Sequence, residues 1–364
     1  MKTIAIYIGD SLPPNLLRLL SGLGEVVADR FRFVLLGTNL ETTQIPSRYE
    51  YQDVGGNPSE RGITELIETY RRVESYLAEV SSRPDAVWQL TAPHFHAVPV
   101  LLAARRHDVA VATRIPGNKF DEFRKASGIE AAKLFAINNI ALRALRYSTL
   151  VVTLSEHNKR NLIARGVPSR KIRVLRPPLN TNQFTTFDPN RKQTLQTELG
   201  FNSTTQSVLY VGRLSELKGM ADLEEVVAAY SETNAYEFHF VGTGEFSDQL
   251  EQYSNTTLHG FVDPDKLHQY YKATDLLVHP SYVEEEGISW TMLEAAATGL
   301  PVVARDKENA ADIASFVFNE TEELIAYLSE PTQWEPAKYP TKWSLDHCRS
   351  EYNEFFDTLT TITE

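Results

Sequence analysis

The stretch Val211–Gly219 reads VGRLSELKG and directly follows the apolar run SVLY. This pattern predicts a strand that ends near Gly212, then a loop that carries Arg213 and Lys218, then a helix. In open α/β sheets, ligands bind beyond the carboxyl ends of the strands. Two cations beside a helix N-terminus suit a diphosphate, because guanidinium and ammonium groups both neutralise phosphate oxygens. A solvated loop closed by a glycine has the same spacing, so both interpretations stay open at this point.

A second stretch, Val283–Ala304, reads VEEEGISWTMLEAAATGLPVVA. Two of its glutamates, Glu286 and Glu294, are eight positions apart. Glu286 lies on a predicted loop and Glu294 lies in the helix that follows. Eight positions are slightly more than two helical turns, so both side chains can face one cleft. Gly287 allows close backbone approach, and the amide of Ile288 suits an anion. Carboxylates also suit sugar hydroxyls, because they accept charge-assisted hydrogen bonds.

Short apolar and β-branched runs alternate with helical patterns along the whole chain, which predicts parallel sheets built from βαβ units. The predicted strands are Thr3–Gly9, Arg32–Gly37, Ala86–Leu90, Val109–Ile115, Thr149–Leu154, Ile172–Leu175, Ser207–Val211, Tyr236–Val241, Leu276–His279 and Pro301–Ala304. The predicted helices include Ser59–Ser82, Ala97–Arg106, Phe120–Tyr147, Glu156–Arg165, one capped by Asp263 with Pro264 first, and Ser344–Leu359. We therefore expect an α/β fold with a first domain over 1–178, a linker over 179–206, a second domain over 207–340 and a C-terminal helix over 341–364 that crosses back to the first domain.

Length and composition are those of a globular protein with two or three domains, at about 150 residues per domain. Of the 364 residues, 42% are hydrophobic and 23% are charged. No run approaches the roughly 18 apolar residues of a membrane-spanning helix, and the first residues do not form a signal-peptide pattern. The single cysteine, Cys348, excludes an internal disulfide framework and a cysteine-based metal cluster. These features favour a soluble, cytoplasmic protein over secreted, integral-membrane, collagenous or disordered classes.

The charge of the chain is distributed unevenly between its two halves. The net charge of −12 comes from 36 basic and 48 acidic residues. Residues 1–178 hold 25 Lys and Arg against 17 Asp and Glu, whereas residues 179–364 hold 11 against 31. Opposite signs indicate two domains with different partners, or two domains that attract each other. An anionic membrane surface or a phosphorylated acceptor fits the basic half. No nucleic-acid motif is present, and no nucleic-acid partner is expected.

Four motifs follow one another in the second half of the chain. They are VGRL with KG in Val211–Gly219, VGTGE at Val241–Glu245, HGFVDPDKL at His259–Leu267, and Glu286 to Glu294 followed by TGLPVV. In order and spacing they resemble the family-four group of GT-B glycosyltransferases over roughly Ser207–Ala304, with weaker similarity in the first domain and the C-terminal helix. The resemblance implies two Rossmann-like domains facing a central cleft. It also implies a retaining, metal-independent enzyme that moves a sugar from a nucleoside-diphosphate donor to a hydroxyl of a saccharide or lipid-linked acceptor.

By motif position, the resemblance implies roles for individual residues. Arg213 and Lys218 would neutralise the departing diphosphate, Glu286 would contact hydroxyls of the donor sugar, and Glu294 would bind the ribose hydroxyls. The other implied donor-binding residues, many of them acting through backbone groups, are Gly212, Gly242, Gly244, Phe261, Val262, Gly287 and Ile288. No metal ion and no cofactor are expected, because the cations and a helix N-terminus supply the positive charge.

The first domain departs from the family pattern at two loops. Gly9 and Asp10 stand where many relatives carry a double glycine, and Arg114 stands where many carry a His-Gly pair. These three residues are acceptor-side candidates, as are His94 and His96 beyond the third predicted strand. The His-x-His spacing also suits zinc, but no third ligand is near in sequence, and a structural role is the remaining alternative.

Residues 119–147 combine apolar positions with six basic residues, a composition found in helices that lie on anionic interfaces. A core-facing helix with a solvated basic face is the alternative. If the basic residues are functional, a lipid-linked saccharide or lipid phosphate becomes the leading acceptor, and the protein would act peripherally on the cytoplasmic membrane face. Elsewhere, His239 and His279 are interpreted as packing residues, and Ser289 replaces a glycine that is usual in the family.

Other functions remain as alternatives. The same fold hosts nucleotide-sugar epimerases, phosphorylases that need pyridoxal phosphate, and non-catalytic nucleotide-sugar-binding proteins. Two Rossmann-like halves also occur in nicotinamide dehydrogenases, but no G-x-G-x-x-G follows the first predicted strand. The donor base, the sugar, the acceptor and the oligomeric state are not specified by these motifs, because fold alone never fixes the substrate.

Overall fold

The computed structural model of the chain describes residues 1–27, 29–41, 45–55, 63–90, 97–115, 128–179, 181, 184, 189–282, 289–307, 310–330 and 334–362. The chain divides into two compact units. Unit 1 is formed mainly by Met1–Pro178 and Lys342–Glu364, and unit 2 by Leu179–Glu284 and Ile288–Thr341.

Unit 1 is built on a parallel sheet of seven described strands. These are β1 (Lys2–Gly9), β2 (Phe31–Gly37), β3 (Glu50–Asp53), β4 (Ala86–Gln89), β5 (Ala110–Ile115), β6 (Leu150–Thr153) and β7 (Ile172–Val174). Their order across the sheet is β3-β2-β1-β4-β5-β6-β7, and each adjacent pair is parallel. Consecutive residues Ile4–Ile8 are all buried. Such a continuous run is expected where helices cover both faces of a parallel sheet.

Unit 2 repeats this plan with six described strands. These are β8 (Gln206–Val211), β9 (Tyr236–Val241), β10 (Thr256–Gly260), β11 (Leu276–His279), β12 (Val302–Arg305) and β13 (Phe316–Phe318). Their order is β10-β9-β8-β11-β12-β13, again with parallel pairs. In this order the chain runs outward from β8 to one edge, then crosses to β11 and continues to the other edge.

Helices cover the sheets within each unit. They are α1 (Pro14–Val27), α2 (Ile63–Glu79), α3 (Ala97–Arg106), α4 (Gly128–Leu145), α5 (Glu156–Ala164), α6 (Pro189–Leu199), α7 (Met220–Ala229), α8 (Ser247–Leu250), α9 (Leu267–Ala273), α10 (Trp290–Thr298), α11 (Ala310–Ile313), α12 (Thr321–Ser329) and α13 (Leu345–Thr361). Helix α1 shows why they form, since its buried leucines and valines recur every three or four residues along one face.

The C-terminal helix α13 belongs to the core of unit 1. Its first turn is capped by Ser344, whose hydroxyl accepts a hydrogen bond from the amide of His347 at 3.3 Å. Its aromatic face surrounds the buried Trp88 of β4, with ring centroids 5.6 Å away at Phe355 and 5.5 Å away at Phe356. A helix that is distant in sequence therefore completes the first hydrophobic core.

The interior strands lie within one or two residues of their predicted bounds, and three strands have no counterpart among the predictions. The missing strands β3, β10 and β13 are all at sheet edges. Edge strands are short and partly solvated, so they lack the continuous apolar run that marks a central parallel strand. Strand β3, for example, reads EYQD and has no buried residue.

Two further predictions differ from the structure in detail. The segment 179–206, expected to be a linker, includes helix α6, whose Gln196 side chain donates a 3.0 Å hydrogen bond to the carbonyl of Ala273 in unit 2. The helix start at Asp263 is a short 3₁₀ turn over Pro264–Lys266, and the Asp263 side chain makes no capping hydrogen bond. A single turn needs little capping, because α9 begins directly after it.

Candidate functional site

The carboxyl ends of the unit 2 strands bring several of the predicted donor residues, including Arg213, Lys218 and Gly242, to one edge of the sheet. The strand order reverses between β8 and β11, and such a switch point is where open α/β sheets hold their ligands. The loop after β8 carries Arg213 and Lys218. Strand β11 ends on the other side of the switch point at His279. Two residues predicted from VGRLSELKG thus lie where the topology places a crevice.

The loop after β8 is held in one conformation by hydrogen bonds. The hydroxyl of Tyr210 donates to the carbonyl of Arg213 at 2.8 Å. The amide of Glu216 donates to Oε1 of Glu245 at 3.0 Å, which ties this loop to the VGTGE turn after β9. Lys218 ends a short 3₁₀ turn and is half-buried, whereas Arg213 is exposed. Both cations are therefore presented on a fixed backbone beside the N-terminus of α7.

Gly242 and Gly244 lie where two neighbouring loops touch, and the contact leaves no room for a Cβ atom. A Cβ atom on Gly242 would lie 1.8 Å from the carbonyl oxygen of Gly212, and one on Gly244 would lie 2.1 Å from that of Leu214. The amide of Leu214 also donates to the carbonyl of Thr243 at 3.0 Å. A side chain at either glycine would push the two loops apart. Backbone contact between these glycines and a donor stays a prediction.

His279 is the residue at this edge whose environment sequence reasoning missed. It was interpreted as a packing residue, yet its imidazole lies within electrostatic reach of Lys218. Burial, and secondarily the charge of Lys218, lower the pKa of His279 to about 3. The imidazole is therefore neutral near pH 7 and adds no charge beside Lys218. The position of this histidine at the end of a strand next to β8 was the available signal.

His239, the other histidine assigned to packing, lies in strand β9. It is fully buried and stacks on Phe201 with a ring separation of 3.6 Å. Its Nδ1 lies 3.1 Å from Nε2 of His259. Burial, followed by the neighbouring His259, lowers the pKa of His239 to about 3. A stacked, neutral imidazole of this kind belongs to the core.

Glu294 lies in the middle of α10 and is 1% exposed. Its Oε2 accepts a 2.8 Å hydrogen bond from the hydroxyl of Tyr271 in α9. Helix α10 is capped by Ser289, whose hydroxyl accepts from the amide of Met292 at 3.4 Å. Ser289 at the family's glycine position therefore starts the helix that carries Glu294. Tyr271 was not among the predicted site residues, since nothing in its local pattern links it to Glu294.

The remaining donor-side residues have separate outcomes. Phe261 is 70% exposed and Val262 is half-buried directly after β10, at the same edge as the loops after β8 and β9. Glu286, Gly287 and Ile288 lie outside the described residues, so their predicted roles stay predictions.

The acceptor-side candidates that the structure describes lie in unit 1. Gly9 ends β1 with a φ of +75°, and Asp10 follows it, exposed, at the carboxyl edge of the sheet. Arg114 lies within β5, is 6% exposed and acts electrostatically on the buried Tyr352 of α13. Its predicted contact with an acceptor stays a prediction. His94 and His96 lie outside the described residues.

None of the described His, Cys, Asp and Glu side chains form a group of three or more placed to hold a metal ion. Across the same described ranges, no helix combines the length and apolar character needed to cross a bilayer.

Two protein families match the chain, one in each unit. Residues 13–178 match the glycosyl transferase 4-like domain, and residues 205–332 match the glycosyl transferases group 1. Among curated proteins, an uncharacterized glycosyltransferase of Methanocaldococcus jannaschii is 26% identical over 60% of this chain and 57% of its own length. The α-galactosylglucosyldiacylglycerol synthase of Streptococcus pneumoniae is 26% identical over 40% of this chain and 41% of its own length. The chain thus spans about half of the length of these relatives.

Solved structures share the fold of the whole chain. HepE of Anabaena, solved in complex with UDP and glucose, superimposes with a TM-score of 0.75 at 18% identity, over 98% of this chain and 100% of HepE. WaaG, a glycosyltransferase involved in lipopolysaccharide biosynthesis, superimposes with a TM-score of 0.67 at 16% identity, over 96% of this chain and 95% of its own. Glycosyltransferase families match both units, and the solved structures share both sheets. The chain therefore belongs to the GT-B glycosyltransferases and resembles those of family four.

Proposed function

We propose that this glycosyltransferase retains the anomeric configuration of its sugar, uses a nucleoside-diphosphate donor, and needs no metal ion. The observation that carries the proposal is the placement of Arg213 and Lys218 on a fixed loop at the switch point of the unit 2 sheet. The product of its reaction would be a glycan or glycolipid. HepE of Anabaena, which shares the fold, was solved with UDP and glucose, and this supports a nucleotide donor.

The chemistry follows from the charges at this edge. As the bond between the sugar and the diphosphate breaks, negative charge grows on the leaving phosphate oxygens. The Lys218 ammonium and the Arg213 guanidinium would stabilise that charge, together with the amides at the start of α7. Because His279 is neutral, the positive charge near Lys218 comes from the lysine and arginine side chains and not from the imidazole. Glu294 would hold the ribose, and Glu286 the sugar hydroxyls, because carboxylates accept strong hydrogen bonds from hydroxyl groups.

Binding of a nucleoside diphosphate tests this proposal. We expect one of the nucleoside diphosphates UDP, GDP, ADP or TDP to raise the melting temperature without magnesium, since ligand at 100 times its Kd adds about 2.7 kcal/mol to stability. The monophosphate CMP should give no comparable shift. Glu294→Gln should respond far less, measured against its own unliganded baseline. Glu225→Gln, an exposed carboxylate on α7, is the matched control and should respond like the wild type. If no nucleoside diphosphate stabilises the wild type, a donor of this class is excluded.

We further propose that the acceptor is lipid-linked and is reached at an anionic membrane surface, on the cytoplasmic face. Helix α4 carries the support, because it leaves three apolar side chains in solvent; residues 119–127 of the basic stretch lie outside the described residues. Ile129 is 90% exposed, Phe135 is 54% exposed and Ile140 is 49% exposed. Lys133 and Arg143 are exposed on the same helix. Apolar and basic side chains presented together suit an interface that contains anionic headgroups. The named product of the S. pneumoniae relative is a glycolipid.

Vesicle sedimentation tests the membrane proposal. At low salt the protein should bind vesicles of phosphatidylglycerol and leave vesicles of phosphatidylcholine largely unbound, because headgroup charge supplies about 1 kcal/mol per basic residue. Ile129→Ser combined with Ile140→Ser should weaken that binding about tenfold or more, since each removes apolar area from the interface. Ile163→Ser on α5, where the side chain is 40% exposed, is the control. Equal binding by the double variant and the wild type would contradict the role of α4.

A further inference from the structure

One guanidinium joins three segments at the donor edge of unit 2. Arg305 ends β12 and is 7% exposed. Its Nη2 pairs with Oδ2 of Asp222, its Nε donates to the carbonyl of Pro280 at 3.1 Å, and its Nη1 donates to the carbonyl of Asn319. Each of the three guanidinium nitrogens therefore donates a hydrogen bond to an oxygen atom of a different segment.

Asp222 and Tyr282 complete this group. Asp222 lies in the first turn of α7, and its Oδ2 also accepts a 2.6 Å hydrogen bond from the Tyr282 hydroxyl. The Tyr282 ring lies over the Arg305 guanidinium at 4.3 Å from the ring centroid. The hydrogen bond to Asp222 raises the pKa of Tyr282, so its hydroxyl remains a donor at neutral pH. We call Arg305, Asp222 and Tyr282 the clamp.

The clamp fixes the segment Pro280–Tyr282 against the loop that carries Lys218. The amide of Tyr282 donates to the carbonyl of Leu217 at 3.1 Å. A Cβ atom on Gly219 would lie 2.2 Å from the carbonyl oxygen of Pro280, so the two backbones are in close contact. The clamp therefore holds both sides of the switch point between β8 and β11.

Stability alone does not call for a buried ion pair at this place. Removing two charges from water costs more than their attraction returns unless the geometry is very good, and apolar side chains often replace such pairs without loss. A guanidinium instead offers directed donors in a rigid plane, which a lysine or an apolar residue cannot copy. Its distinctive contribution is to orient the three segments that it bonds.

We propose that Arg305 is a positioning residue, which acts through Asp222 and Tyr282 to hold the Lys218 loop in the geometry that binds a diphosphate. The inference rests on the proposed donor site. It differs from that proposal in assigning part of the diphosphate affinity to a side chain that faces the protein interior.

Two readouts on Arg305→Lys and Arg305→Met test this inference. Amide hydrogen exchange should become faster in peptides covering residues 214–222 and 280–282 of both variants, because the segments lose their common partner. The Kd of inorganic pyrophosphate, measured by calorimetry, should rise about tenfold in Arg305→Lys, which keeps the charge but loses the planar set of donors. It should rise further in Arg305→Met, which loses every charge-assisted hydrogen bond of this side chain. Arg191→Lys, an exposed arginine on α6, is the control for both measurements.

The outcomes separate this inference from the donor-site proposal. A merely structural role would lower the unfolding midpoint of the variants while leaving the pyrophosphate Kd of the folded protein unchanged, and that result would overturn the inference. Unchanged hydrogen exchange in both segments would overturn it as well. In either case the donor-site proposal stands if Lys218→Ala still loses pyrophosphate affinity. If the wild type binds neither pyrophosphate nor any of the four nucleoside diphosphates, the donor site fails and the clamp's assigned role fails with it.

Discussion

Replacing Lys218 by alanine is expected to lower the turnover number of the enzyme 100- to 1000-fold. Lys218 is half-buried, and the backbone of its loop is tied by hydrogen bonds. The loop therefore presents the lysine from a fixed backbone when charge develops on the leaving phosphate. Removing one such preorganised group costs about 3–4 kcal/mol of transition-state stabilisation. The measurement is steady-state transfer, or donor hydrolysis, with the nucleotide sugar whose diphosphate stabilises the wild type.

A second lysine provides the matched control for this experiment. Lys266 is exposed in the 3₁₀ turn after β10, so Lys266→Ala removes the same charge from the same unit without touching the Lys218 loop. Its turnover should equal that of the wild type. The conservative change Lys218→Arg should retain part of the activity, because it keeps the charge and alters the reach. A Lys218→Ala turnover within about threefold of the wild type would contradict the role assigned to this side chain.

Gly244→Ala is expected to cause the second large effect, on stability and on donor binding together. The new Cβ would lie 2.1 Å from the carbonyl oxygen of Leu214 and 2.6 Å from its carbonyl carbon. These are backbone atoms, so the loop after β8 must move as a whole. Overpacking of this kind costs typically 1–3 kcal/mol and sometimes more. Because the displaced loop carries Lys218, we also expect about tenfold weaker pyrophosphate binding in the protein that remains folded.

Gly299→Ala is the control that separates the steric clash from the cost of placing a side chain on left-handed backbone. Gly299 has a φ of +80° at the C-terminus of α10, and a Cβ there would meet no atom within 4 Å. We expect this variant to lose about 1–2 kcal/mol through backbone strain and to bind pyrophosphate as the wild type does. Denaturant unfolding and calorimetry measure the two quantities. If Gly244→Ala binds pyrophosphate normally, the contact between the loops does not set the geometry of the donor site.

The chain's local patterns were sufficient for most of the two sheets. Strands such as Tyr236–Val241 carry enough apolar and β-branched residues to be identified one at a time, since a central parallel strand is buried on both faces. Three of the four described edge strands, β3, β10 and β13, were missed because they are short and partly solvated. Strand β10, for instance, has no fully buried residue in Thr256–Gly260. Its identity depends on hydrogen bonds to β9, which no local pattern records.

At the candidate site, too, some features could be predicted from local sequence and others could not. The sequence places Arg213 and Lys218 on the loop after a strand and Glu294 in a helix, because each belongs to a motif of closely spaced residues, and the structure agrees with those positions. Their roles in donor binding stay predictions. The environment of each side chain could not be predicted, because it depends on residues that are distant in sequence. Lys218 acts electrostatically on His279, and the Tyr271 hydroxyl of α9 donates a hydrogen bond to Glu294 of α10.

Local patterns in the chain were enough to predict the fold class and the family, whereas the donor-site roles of the motif residues stay predictions. The fold class and the family could be predicted because hydrophobic periodicity and short motifs are local properties. Long-range packing brings Arg305 and Asp222, 83 positions apart in sequence, into one buried group and encloses Trp88 with the C-terminal helix, and no local pattern predicts either contact. Such contacts arise when parallel strands and their crossover helices are packed together. Their partners are therefore set by the order of strands in the sheet and not by the order of residues in the chain.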